Sequence, residues 1–246
     1  MNYDPSVFYV CTRPKTYFQD SGYEEHYLWH ARALGIDPKN FEVCYLPDQR
    51  LPANVEADLV IIGGSNKSVY DTEPWIQPLE QFIVRLVQEK KPVFGVCFGH
   101  QIIAQALGGT VEPGSFGPEI GLTEIELTKD GLHDPLFKNI TPVFDAMQLH
   151  KDIVAKLPPV EVVVLANSDL YPNQALAYGD HVRTVQFHPE ITTNIMETEV
   201  NEHADEMLRL GYFSNKAEIE RKTAALQDNT FESTAQAIYR NFLKMI

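Results

Sequence analysis

Four short apolar runs rich in β-branched residues, Val7–Cys11, Phe41–Leu46, Leu59–Ile62 and Val93–Val96, alternate with segments of helical period. Strands without polar alternation are buried on both faces, and such strands are joined by crossover helices, so the pattern predicts an α/β fold on a mostly parallel sheet. One crossover is well marked. Trp75, Leu79, Phe82, Ile83, Leu86 and Val87 recur at three and four residues, with Pro74 expected in the opening turn, where its missing N–H costs nothing.

Between Thr110 and Val185 the reading changes to short strands, Thr123–Leu127, Val162–Ala166, Ala175–Tyr178 and Val182–Phe187, separated by Gly, Pro and Asp clusters. These predict antiparallel additions to the sheet. The 56 residues after Glu190 are helical in composition, and Phe231, Ala235, Ile238, Phe242 and Met245 form a stripe expected to cover the core. The expected organisation is a catalytic domain over 1–190 with a helical extension, 191–246, packed on it.

Lys and Arg total 20 against 34 Asp and Glu, a net charge of −14 that disfavours nucleic-acid partners and anionic membrane surfaces. The longest apolar stretches, around Leu59–Ile62 and Val162–Ala166, are strand-length, whereas a membrane span needs roughly 20 apolar residues. Residues Met1–Pro5 carry no basic and apolar leader, and Cys11, Cys44 and Cys97 form no CxxC pair, so a cytoplasmic protein with free thiols is expected.

The chemistry-bearing feature is the strand Pro92–Val96 running directly into Cys97, followed by a helix. The spacing Gly95-x-Cys97-x-Gly99 is that of a nucleophile elbow, where glycines relieve crowding at a sharp strand-to-helix turn. A helix N-terminus beneath sulfur favours the thiolate. A second element, Val185-Gln186-Phe187-His188-Pro189-Glu190, ends a strand in a histidine and a carboxylate two residues apart. In extended backbone both side chains share one side, and a carboxylate on the far ring nitrogen fixes the tautomer a Cys/His pair needs.

Together the segments GVCFGHQIIAQALGG (Gly95–Gly109) and VQFHPE (Val185–Glu190) resemble the class I, or triad, glutamine amidotransferases, and Ile61-Ile62-Gly63-Gly64-Ser65 falls where that family places its oxyanion glycines. The resemblance implies a flavodoxin-like fold, with Cys97 as nucleophile, His188 as acid/base, Glu190 as its orienter, and the Gly64 and Phe98 amides as oxyanion donors. It implies substrate contacts by Gln101 and by the Leu149-His150-Lys151-Asp152 segment, through His150 and Asp152. The expected substrate is glutamine or another γ-glutamyl small molecule. Any ammonia released would pass to a separate synthetase, because the residues after Glu190 contain no glycine-rich phosphate loop and are few for a nucleotide-activating domain.

Two departures refine the resemblance. Ser65 stands where synthetase-bound members often carry proline, and Lys151 stands where GMP-synthetase-type domains commonly carry glycine; Lys151 and His100 resemble free-standing members and plant-type γ-glutamyl peptidases. Those peptidases are the alternative reading, and an idle binding protein on the same fold is the second. Gly63–Ser68 lacks the spacing of a phosphate loop. His26 and His30, one helical turn apart, have no third ligand nearby and are expected on a solvated helix face; no metal or cofactor is expected.

Overall fold

The computed structural model describes residues 4–21, 23–209, 211–224 and 230–246. Of the N-terminal stretch discussed above, residues 1–3 lie outside the described residues. The apolar runs form β1 (Val7–Cys11), β2 (Phe41–Tyr45), β3 (Leu59–Ile62) and β4 (Val93–Val96), and the last strand of this group is β11 (Val182–Val185). They pair in parallel in the order β2-β1-β3-β4-β11. This is the 2-1-3-4-5 order of flavodoxin-like sheets, whose ligand sites open at the C-terminal strand ends beside β1 and β3. Residues of β1, β3, β4 and β11 are buried, as expected of strands covered on both faces.

The sheet continues antiparallel through β10 (Ala175–Tyr178), β9 (Val163–Asn167), β6 (Glu119–Leu127) and β7 (Val143–His150), giving nine strands. A separate two-stranded ribbon pairs β5 (Thr110–Pro113) with β8 (Asp152–Lys156). Three of the expected antiparallel additions are met by β6, β9 and β10, but the fourth, Val182–Phe187, is corrected: it forms β11 over Val182–Val185, which lies parallel to β4 and antiparallel only to β10. Strand β6 starts four residues earlier than the expected Thr123, and β5, β7 and β8 have no counterpart in the sequence pattern. Polar residues interrupt β7 at Asp145 and Gln148, which masks its alternation; Phe144, Ala146 and Gln148 nonetheless face inward.

Helices α1 (Lys15–Ser21), α2 (His26–Leu34), α3 (Ile76–Gln88) and α4 (Phe98–Ala106) flank the parallel half. In α3, Ile76, Leu79, Phe82, Ile83 and Leu86 are buried. Its start corrects the expectation: Trp75 is the cap, Pro74 precedes it, and Pro78 is the proline of the first turn. After Glu190 come α5 (Thr193–Arg209), α6 (Lys216–Ala224) and α7 (Thr230–Leu243). Phe231, Ala235, Ile238 and Phe242 are buried along α7. Ile238, Tyr239 and Phe242 enter the main core, where both Tyr239 and Phe242 pack on Phe94. Met245 lies beyond the helix end and still packs against this core.

Candidate active site

The end of β4 turns into α4 at Cys97, whose φ of 53° and ψ of −102° lie outside the regions a side-chain-bearing residue ordinarily adopts. What holds the turn is crowding. A Cβ on Gly99 would lie 2.0 Å from the Ile62 carbonyl oxygen, and one on Gly95 2.8 Å from the Gly99 carbonyl oxygen, so both glycines allow the helix to start against the strands. The Cys97 amide donates to the Val185 carbonyl at 2.9 Å, which ties the elbow to β11. The Phe98 amide is in the first turn of α4, where backbone N–H groups have no intrahelical partner.

Immediately beyond β11, His188 and Glu190 are both buried, and His188 Nδ1 donates to Glu190 Oε1 at 2.7 Å. The His188 amide donates to the Met147 carbonyl at 2.8 Å, which anchors the segment to β7. Burial opposes charge on the His188 ring, but the Glu190 carboxylate and the Cys97 sulfur outweigh it and hold the imidazole pKa well above its ordinary value. Burial likewise opposes charge on Glu190, and His188 and His30 reverse this, so its pKa is lowered. His188 Nε2 is buried without a hydrogen-bond partner among the described residues. Gly64 closes the arrangement from β3: a Cβ there would meet His188 Cε1 at 3.3 Å and Cys97 Cβ at 4.0 Å. The Thr12 hydroxyl donates to the Gly64 carbonyl at 2.9 Å, and the Ser65 hydroxyl accepts from the Lys67 amide at 3.1 Å, so serine supports this loop.

Cys97, His188, Glu190 and Gly64 line one cleft of about 800 Å³, counted to its open mouth. Its walls include Arg13, Trp29, Ser65, Asn66 and Leu149, and α5 supplies Glu199, His203, Glu206 and Met207. Here the expectation of a solvated histidine face on α2 is overturned. His30 is 1% exposed and His26 stacks on Trp29 with ring centroids 4.5 Å apart, because this face of α2 packs toward the sheet and the cleft. Burial lowers the His26 pKa to about 3 and that of His30 to about 4. His30 Nδ1 is 2.5 Å from the Tyr239 hydroxyl, and its Nε2 is 3.9 Å from Glu190 Oε1. Among the described residues no cluster of three His, Cys, Asp or Glu could hold a metal ion.

The residues implied as substrate contacts sit beside the cleft rather than along it. Gln101 Nε2 donates to the Asp152 carbonyl at 2.8 Å and to Gln186 Oε1 at 3.1 Å. The Asp152 carboxylate accepts from the Ser68 hydroxyl at 2.5 Å and from the Tyr70 hydroxyl at 2.9 Å. His150 binds Glu119 Oε2 through Nε2 at 2.9 Å and approaches the Asp152 carbonyl with Nδ1 at 3.1 Å. Cys11 and Cys44 are buried free thiols, pushed up by burial to about 12 and about 11 respectively.

The family model "Glutamine amidotransferase class-I" matches residues 18–204, about three quarters of the chain. The chain belongs to the class-I glutamine amidotransferases. Among its relatives, "Gamma-glutamyl peptidase 5" of Arabidopsis thaliana is 26% identical over 243 residues, covering 97% of this chain and 94% of the relative. A glutamine-hydrolysing GMP synthase subunit of Sulfolobus acidocaldarius is 32% identical over 150 residues, covering 61% of this chain and 76% of the relative. The fold is that of a solved glutamine amidotransferase from Thermotoga maritima, with a TM-score of 0.74, 21% identity and 99% of each chain covered.

In this class-I glutamine amidotransferase, sequence reasoning missed a buried network behind the site. Glu119 accepts from His150, from the Ser168 hydroxyl at 2.6 Å and from Gln174 Nε2 at 2.6 Å. Burial would raise its pKa, but the hydrogen bond from His150 and those from Ser168 and Gln174 lower it. The network fixes the end of β7, where the Leu149 carbonyl oxygen lies 3.8 Å from Cys97 Sγ. A signal was available, a lone glutamate in the otherwise apolar opening of β6, but its partners are far off in sequence.

Proposed function

We propose that this chain hydrolyses γ-glutamyl amides through a Cys97–His188–Glu190 triad. The observation that carries the reading is the meeting of a strained, strand-end cysteine with a buried histidine whose far nitrogen is held by a carboxylate at 2.7 Å. Cys97 Sγ attacks the amide carbon, and its proton goes to His188. The Gly64 and Phe98 amides receive the developing oxyanion, an interaction whose loss typically costs about 10² to 10³ in rate. His188 then returns the proton to the departing nitrogen as the C–N bond breaks, leaving a γ-glutamyl thioester. Water, deprotonated by His188, adds to the thioester, and glutamate departs as the thiol is restored.

With glutamine as substrate the leaving group is ammonia, and the relative named as one subunit of a GMP synthase supports delivery to a separate synthetase. A specific observation favours peptides as a second reading: the relative matched along 97% of this chain is named a γ-glutamyl peptidase. Residence in the cytoplasm is supported by three free thiols and by the absence, among the described residues, of a helix long and apolar enough to cross a membrane. The deciding experiment scores free glutamate from glutamine and from γ-glutamyl peptides with the wild type and Cys97→Ala. Release by the wild type alone supports the triad; equal release by the variant, or none by either, refutes it and leaves a binding protein on this fold.

A further inference from the structure

The cleft that holds the thiol is lined by the acid/base histidine and by groups that no step of the chemistry uses. His188, Glu190 and Ile191 line it, whereas Gln101, His150 and Asp152 do not. In the hydrolysis proposed above, on which this inference rests, the departing nitrogen takes its proton from His188. The leaving group must therefore lie within reach of His188, inside the cleft.

On the wall of this space stands Arg13, in the loop after β1. Arg32, Arg85, Arg183 and Arg209 each hold a carboxylate within 4.0 Å, and Arg50, Arg221 and Arg240 are exposed to solvent, whereas the Arg13 guanidinium lines the cleft with no ion pair or hydrogen bond among the described residues. It lies over the Tyr17 ring, 4.3 Å from the centroid. Stacking occupies the face of the planar group and leaves its N–H donors at the edge available, the arrangement that suits bidentate capture of a carboxylate. The charge of Arg13 reaches His26, Glu199 and Tyr212 around the cleft. Glu199 and Glu206 line the same space from α5 and repel anions, so a carboxylate entering there needs the Arg13 charge to be held.

We propose that Arg13 is a specificity residue that binds a carboxylate on the leaving amine, so that the favoured substrates are γ-glutamyl amino acids or peptides rather than amides of uncharged amines. The alternative role, a counter-ion for Glu199, would affect all substrates alike. The test compares γ-glutamylglycine with γ-glutamylglycinamide, which differ only in that carboxylate, using the wild type, Arg13→Gln and Arg13→Lys. The wild type should prefer the acid, and the acid-to-amide ratio of kcat/KM should fall about ten- to a hundredfold in Arg13→Gln, as expected for loss of a charge-assisted hydrogen bond. Arg13→Lys should retain part of the ratio, and it supplies the measurement if the glutamine variant does not fold. An unchanged ratio, equal loss on both substrates, or a wild type that cleaves glutamine but neither dipeptide overturns the assignment of Arg13. A wild type that releases no glutamate from any of these compounds, or a Cys97→Ala protein that does, overturns the hydrolase reading as well.

Discussion

Replacing Gly99 with alanine tests whether the close approach of α4 to β3 sets the geometry of the elbow. The added Cβ would fall 2.0 Å from the Ile62 carbonyl oxygen and 3.2 Å from Ile62 Cβ, where ordinary contact begins near 3.4 Å. The obstructing oxygen belongs to the backbone of a buried strand and cannot rotate aside. The start of α4 must therefore retreat by roughly an ångström, or the end of β3 must give. Overpacking of this kind costs about 1–3 kcal/mol, which in a chain of this length lowers Tm by about 2–12 °C. Both sides of the displaced contact carry site groups, with Cys97 and Phe98 starting the helix and Gly63 and Gly64 ending the strand. Because an ångström of misplacement can cost about 10² in rate, kcat/KM for glutamate release should fall about a hundredfold. Thermal melting and an assay for free glutamate read the two effects separately. A Gly99→Ala protein that melts within about 1 °C of the wild type and turns over at its rate would refute the reasoning.

Cys97→Ala should abolish glutamate release at unchanged Tm, whereas Cys11→Ala and Cys44→Ala, whose thiols burial holds protonated, should retain it when assayed in folded protein. His188→Asn should be nearly as damaging as loss of the thiol, and Glu190→Gln milder, at about 10- to 10³-fold in kcat/KM, because the amide still accepts from the ring but no longer supports its charge. Since Glu190 raises the His188 pKa, the same variant should move the alkaline limb of the kcat/KM profile to lower pH; an upward move would contradict the assignment. Glu119, whose folded pKa is lowered, contributes stability above its unfolded value of about 4.3 that is lost as pH falls through the folded value. The Tm advantage of the wild type over Glu119→Gln should therefore shrink below about pH 4.3, and a pH-independent difference would mean that ionisation of Glu119 is not the source.

The elements legible in the sequence are those whose local pattern and final environment agree. The strands β1, β3 and β4 are buried on both faces and so read as unbroken apolar runs, and the elbow glycines stand two residues to either side of the cysteine they serve. The rest depends on tertiary placement. His30 reads as polar, yet it shares its helix face with His26, Trp29 and Leu34, and that continuity with Trp29 and Leu34 is the signal that it turns inward. Glu199, His203 and Glu206 belong to a strongly charged helix, which periodicity assigns to solvent; only the docking of α5 over the strand ends brings them to the cleft. Glu119 and His150 are 31 residues apart, and nothing in either segment announces that the two buried side chains bond each other.

The two histidines nearest Glu190 make the same point about environment. His188, at 2.7 Å, has its pKa raised, whereas His30, with its nearest nitrogen at 3.9 Å, is driven down to about 4 by burial, despite the same carboxylate. The difference lies in the other neighbours. His188 also faces the Cys97 sulfur, while His30 faces the charge of His188, which lowers it further, and bonds the Tyr239 hydroxyl. If the hydroxyl donates to Nδ1, the single proton of the neutral ring sits on Nε2, the atom toward Glu190. His30 can then stabilise the carboxylate as a dipole without competing for the proton that His188 carries, and Tyr239 extends this support to α7. Residues far apart in the chain, from α2 and the last helix, thus pack around a pair that the sequence places two residues apart.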